Sequence, residues 1–178
     1  MQDFTDLYIE LGEKALTIDG INWVDLWNNQ VNFLEDEFPF TAPAVFFQFT
    51  LLSARDIGKN AQEVEWQIDM WLFYETMADT SHGSMNMDTA VGFLKLLNEL
   101  FKKFHGTSGV NYSSMRRIGL RLQESGGTGN LYMQTFTCIS IDESAVKEYD
   151  EADMPEVVIV NEEGPETEPD EPMFMIRG

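Results

Sequence analysis

The sequence predicts an α+β domain: a roughly four-stranded antiparallel sheet with two helices packed on one face, followed by an extended acidic C-terminal arm. Three observations predict it. Two segments carry apolar residues at helical spacing, four segments read as strands, and the composition changes sharply after residue 142. With 178 residues, 43% hydrophobic and 12% aromatic, the chain is long enough for one domain with a substantial core.

The first helix spans residues 1–17, where Phe4, Leu7, Tyr8, Leu11, Ala15 and Leu16 fall at helical spacing; Gly20 in "TIDG" ends it. "INWVDLW" follows as a short strand or turn, then the polar, irregular "NNQVNFLEDE". In "EFPFTAPAVFFQF", Pro39 and Pro43 keep Phe38 and Ala42 out of helical geometry, so the chain is extended as it enters the strand "AVFFQFTLL". Val45, Phe47 and Phe49 then face one way, Phe46 and Gln48 the other. "ARDIGKN" reads as a loop. "AQEVEWQIDMWLFYET" alternates, with Val64, Trp66, Ile68, Met70 and Leu72 on a core face and Trp71 and Phe73 opposite. The second helix lies in "DTAVGFLKLLNELFKKFHG", with Asp88 or Thr89 as N-cap, Gly106 as stop, and Val91, Leu94, Leu97 or Phe101, and Phe104 as its buried stripe. "SSMRRIGLRLQES" and "NLYMQTFTCISI" are two strands joined by "GGTG", a hairpin connection.

Charge narrows the function classes. Eleven basic against 31 acidic residues leave a net charge of −20, the reverse of what binding a nucleic-acid backbone requires. Residues 142–178 alone hold 13 acids, two bases and four of the six prolines. We therefore divide the chain into a domain over 1–142 and an arm over 143–178, ordered only through partner contacts. Two apolar islands in the arm suit docking by strand addition: Val157, Val158, Ile159 and Val160, and the "MFMI" run containing Phe174 and Ile176. Neither a signal peptide nor an apolar run long enough to span a membrane is read in the sequence, so a soluble intracellular product is expected.

Candidates for chemistry are few. His82 and His105 lack metal-ligand spacing, and Cys138, mid-strand beside Phe136 and Ile139, reads as a buried thiol. "GGTGN" and "GVNYSS" lack the strand-to-helix setting and the lysine of a phosphate loop. Carboxylate pairs such as Asp69 with Glu75 carry little meaning in so acidic a chain. No nucleophile, base and acid set assembles, so no catalytic, cofactor or metal site is assigned. The remaining candidates are contacts between subunits. Arg116, Arg117 and Arg121 either pair across strands with acids or form a positive patch that meets a neighbouring acidic subunit. Trp71 and Phe73 are either core or subunit contacts. Gln48 sits on the less buried strand face, where its amide suits a subunit boundary or an adjacent sheet.

The Trp-rich "INWVDLWNNQ", the "PFTAPAVFFQF" stretch, the alternating strand and the Gly-turn hairpin ending "FTCISID" together resemble small structural proteins of tailed bacteriophages and prophages, especially of Bacteroides-type hosts. These are tail-terminator and head–tail joining (neck) proteins, and the resemblance covers roughly residues 1–142. It implies a hexameric, sometimes dodecameric, ring at the virion neck, assembled in the host cytoplasm. Such a ring meets tail-tube and connector or portal-side proteins while DNA passes through without specific binding. The family has no catalytic residues and no cofactor. A second reading from charge alone is an acidic DNA-mimic inhibitor of a nucleic-acid-binding protein. A small enzyme is the third.

Overall fold

In the computed structural model, which describes residues 3–33, 40–75, 80–85, 87–125 and 129–147, helix α1 spans Phe4–Leu16. Asp3 caps it, its Oδ1 accepting from the Asp6 amide at 3.0 Å. Leu7, Leu11, Gly12 and Ala15 form the buried stripe, while Phe4 and Leu16 stay half-exposed at its margins. Gly20 takes the turn with φ 90°.

β1 (Trp23–Leu26) runs parallel to β2 (Ala44–Gly58), pairing Trp23 with Ala44 and Leu26 with Phe47. Antiparallel pairs then join β2 to β3 (Ala61–Glu75), β3 to β5 (Gly129–Asp142) and β5 to β4 (Ser113–Gln123). The sheet has five strands in the order β1-β2-β3-β5-β4. The α+β class holds, but the sheet is mixed where four antiparallel strands were expected. A parallel neighbour needs a crossover. The crossover follows β1, and its Trp27, Val31, Phe40 and Ala42 pack on the sheet face turned away from the helices.

The expected loop "ARDIGKN" is instead the end of β2. The connection shrinks to Lys59 and Asn60, with φ 55° and 62°. Positive φ at both central residues is the requirement of the two-residue type I′ turn, which matches the twist of paired strands. Without the usual Asn-Gly or Asp-Gly pair, the turn was hard to see.

The second helix divides. A single turn, α2 (Met87–Ala90), precedes α3 (Gly92–Phe104), and Val91 stands at the α3 N-cap without a side-chain hydrogen bond. Neither Asp88 nor Thr89 therefore caps α3. Its buried stripe is Phe93, Leu96, Leu97, Leu100 and Phe104, with Leu94 exposed. Leu97 and Phe104 were expected there, while Phe93, Leu96 and Leu100 take the places expected for Val91 and Leu94.

α1 and α3 share one face of the sheet. Beneath them lie Val45 and Phe47 of β2, Ile68, Met70 and Leu72 of β3, and Phe136 and Cys138 of β5. Burying each large apolar side chain contributes about 1.5–3 kcal/mol. Two polar pins fix α1 to the loop before β4. The Glu10 carboxylate accepts from the Val110 and Asn111 amides at 2.9 and 2.8 Å and from Asn111 Nδ2 at 2.9 Å. Lys14 Nζ donates to Thr107 Oγ1 at 2.9 Å and to the Tyr112 hydroxyl, above the Phe104 ring.

On the second face, Val31, Ala44, Phe46, Phe73 and Leu131 form a smaller core. Gly129, the last glycine of the "GGTG" connection, lies so close to Phe73 that a Cβ there would come within 2.2 Å of the ring.

Candidate subunit interface

The strand order leaves two edges open among the described residues. β4 has β5 as its one strand neighbour, with residues 105–108 bonded along its outer side up to Arg117, and β2 beyond Phe47 has only β3, because β1 pairs no further than Phe47. The open part of β2 runs from Gln48 to Gly58, and that of β4 from Ile118 to Gln123. Both edges expose large apolar side chains: Leu51, Leu52 and Ile57 on β2, and Ile118, Leu120 and Leu122 on β4. Leu122 is 64% exposed and Leu51 52%. Exposed apolar strand edges invite pairing with another chain.

Register assigns these side chains to faces. Leu51 pairs with Trp66, which packs against the helix-side core. Leu120 pairs with Gln134, whose Nε2 donates to the Leu97 carbonyl of α3 at 2.7 Å. Leu122 pairs with Tyr132, also packed against that core. Leu51, Leu120 and Leu122 thus share the helix-bearing face of the sheet.

The three arginines separate. Arg116 and Arg121, paired with Thr137 and Met133, lie on the face away from the helices and are exposed. Arg117 points to the helix side, its guanidinium 3.6 Å from the Phe101 ring centroid and donating to Gln134 Oε1 at 3.0 Å. Among the described residues the ion pairs are Arg55–Glu63 at 2.9 Å and Lys102–Glu99 at 2.7 Å, neither involving β4. Of the two readings of the cluster, cross-strand ion pairing is not what the described residues contain. Arg117 belongs to its own fold, and Arg116 and Arg121 make the β4 edge locally positive. On the opposite edge, the β2–β3 hairpin places Glu63 and Glu65 on that same face.

Gln48 is exposed on the arginine face, in register with Asp69. Asp69 is buried, with Oδ1 accepting from Thr135 Oγ1 at 2.6 Å and Oδ2 from Gln67 Nε2 at 3.0 Å. Trp71 stacks on Trp27 with centroids 4.1 Å apart and rings parallel to 1°. Its buried indole Nε1 has no hydrogen-bond partner among the described residues. Phe73 must be corrected: it is fully buried, edge-on to Phe40 in the second core, and offers no surface for a subunit contact. The arm positions Val157, Val158, Ile159, Val160, Phe174 and Ile176 lie outside the described residues.

The apolar edge residues are what sequence reasoning missed. "IGLRLQ" alternates apolar with small or polar residues, but a strand pattern cannot say whether its apolar side is covered. On β2, reading "ARDIGKN" as a loop concealed the edge altogether.

Elsewhere, His82 is exposed in its loop, and His105 Nδ1 accepts the Arg117 amide at 3.0 Å. Burial pushes the Cys138 thiol up to about 12. No group of three His, Cys, Asp or Glu able to hold a metal ion is found among the described residues. An open depression of about 600 Å³ between α1 and α3 mixes Lys95, Lys102 and Lys103 with Asp19 and Glu99. No helix among the described residues is long and apolar enough to cross a membrane. Compared with models of known protein families the chain matches none, and no curated protein matches it.

Proposed function

We propose that the chain is a structural subunit of a virion neck or tail ring, a tail terminator or head–tail connector that caps or joins the tail tube and lets DNA pass through its lumen. The observation that carries this reading is a sheet open at both sides, each open edge exposing apolar residues. A subunit built this way gains by repeating head to tail, and rings are the closed form of that repetition. The net charge of −20 favours a conduit along which DNA slides without sticking. The resemblance of "PFTAPAVFFQF" and its surroundings to phage neck proteins points the same way. In this role the protein catalyses nothing and needs no cofactor. It meets tail-tube and portal-side proteins in the virion, after assembly in the host cytoplasm.

Electron microscopy and native mass spectrometry of the full-length protein test the reading. Closed rings with a central channel, hexameric or dodecameric, are the expected result. A protein that stays monomeric both alone and with its tail-tube partner overturns it.

A further inference from the structure

We propose that the open stretch of β2 pairs antiparallel with β4 of a second copy, so that the sheet runs on from one protomer into the next. This inference rests on the ring reading and specifies its joint. Strand direction supplies the first argument. β2 is antiparallel to β3, β3 to β5 and β5 to β4, so β2 and β4 point opposite ways within one protomer. A copy carried alongside in the same orientation therefore presents its β2 antiparallel to β4 and continues the alternation. The helix-bearing face stays on one side throughout.

β1 decides how far the neighbour must slide. Through Gln134 and Met70, Leu120 lies level with Phe47, and Gln123 lies level with Ala44 through Leu131 and Phe73. β1 already occupies the outer side of Ala44–Phe47. A level joint would drive Leu120–Gln123 of β4 into β1. Residues 105–108 likewise occupy the outer side of β4 up to Arg117, so sliding the neighbour by four residues sets Gln48–Ser53 against Ile118–Gln123, with Leu51 opposite Leu120 and Phe49 opposite Leu122. All four side chains lie on the helix-bearing face, where they cover one another.

Two further features agree with this register. The β2 irregularity between Leu51 and Ser53 and the β4 irregularity between Arg117 and Gly119 fall side by side in it. Such breaks discourage indiscriminate edge pairing and so favour a partner with the matching break. The slide also suits closure. Four residues displace the neighbour by about 14 Å across a repeat about 19 Å wide, at the usual strand rise and spacing. The implied strand tilt is roughly 35°, at the lower end of the range for closed sheets.

The joint is tested by mixing two full-length single variants, Leu51→Cys and Leu120→Cys, and oxidising the assembled protein. Cys138 is 2% exposed, and each variant oxidised alone reports any background from it. The expected result is a cross-linked dimer in the mixture and not in either variant alone. The double variant should give a ladder reaching the ring number. Links between two Leu120→Cys chains would mean like edges pair, overturning the joint. Rings by microscopy without the Leu51–Leu120 link would also overturn it, yet leave the ring reading standing. A protein monomeric under every condition overturns both.

Discussion

The two parts of β2, Ala44–Phe47 and Gln48–Gly58, share one partner strand, yet they live in different surroundings. Ala44, Val45, Phe46 and Phe47 are each fully buried. From Gln48 to Gly58 every residue except the half-buried Phe49 is exposed. Leu51 and Leu52 are as apolar as Val45, so at these positions the side chain itself does not make the difference. What differs is the cover. Near Phe47, the helices press on one face, the crossover on the other, and β1 closes the edge. Past Phe47 the edge is open and the crossover no longer reaches. A strand is interior because of what lies on its faces, and the uncovered half is where a second chain fits.

The sharpest way to break this comparison is to truncate a side chain in the covered half. Phe47 touches the rings of Tyr8, Phe49 and Phe104. Phe47→Ala should cost about 3–5 kcal/mol, from lost transfer energy and the cavity left behind. A denaturant titration with an unchanged slope and a lowered midpoint would record it. A loss under about 1 kcal/mol would mean the helix-side core is not the main source of stability.

One row across the sheet sharpens the contrast. Leu51 pairs with Trp66 and Trp66 with Cys138, yet exposure falls from 52% at Leu51 to 2% at Cys138. Burial holds the thiol protonated, with its pKa pushed up to about 12. At pH 8 the native thiolate fraction should be roughly a thousandfold below that of an ordinary cysteine, whose pKa is about 8.5. Thiol labelling should therefore be slow in the native state and fast in denaturant. For linkage, the neutral form is favoured in the folded state. That contribution to stability is complete below the unfolded pKa and fades as pH rises from about 8.5 towards 12. Equal labelling rates in native and denatured protein would contradict the buried end of the row.

A smaller effect is expected where α1 is pinned to the loop before β4. Glu10→Ala removes an acceptor from three hydrogen bonds. Water reaches part of this site, so the loss should be about 1–2 kcal/mol. Hydrogen exchange should speed up at the Asn111 amide while the Ile68 amide is little changed.

The comparison also shows what the residues alone disclosed. The alternation in "VEWQIDMWLF" fixed β3 and the face each of its side chains occupies. "PAVFFQF" gave the two-sided burial of Val45 with Phe47 against Phe46, because the prolines forced an extended approach. β1 escaped as a definite strand because four residues, "WVDL", carry too little periodicity, and its parallel pairing depends on how the crossover that follows it packs. Phe73 was left open between core and interface because what covers it, Phe40, comes from that crossover. The β4 arginines were seen as a cluster, but their division between faces needed the irregularity at Arg117/Gly119. Exposure of Leu51 and Leu120 is a property of absent neighbours, which no local pattern encodes.

The smallest change in folding stability is expected in the uncovered half. Leu51→Ser and Leu120→Ser remove apolar surface that water already reaches, so each should alter the denaturation midpoint by no more than about 0.5 kcal/mol. Assembly should respond quite differently. If β2 and β4 meet between copies, either change places a hydroxyl at a contact repeated at every joint. Light scattering should then show fewer rings and more monomer at equal concentration, with the folded monomer intact. Thr50→Ser, on the opposite face of the same strand, should leave both measurements unchanged. Rings that form normally from Leu51→Ser chains would mean that the exposed half of β2 serves some partner other than a second copy.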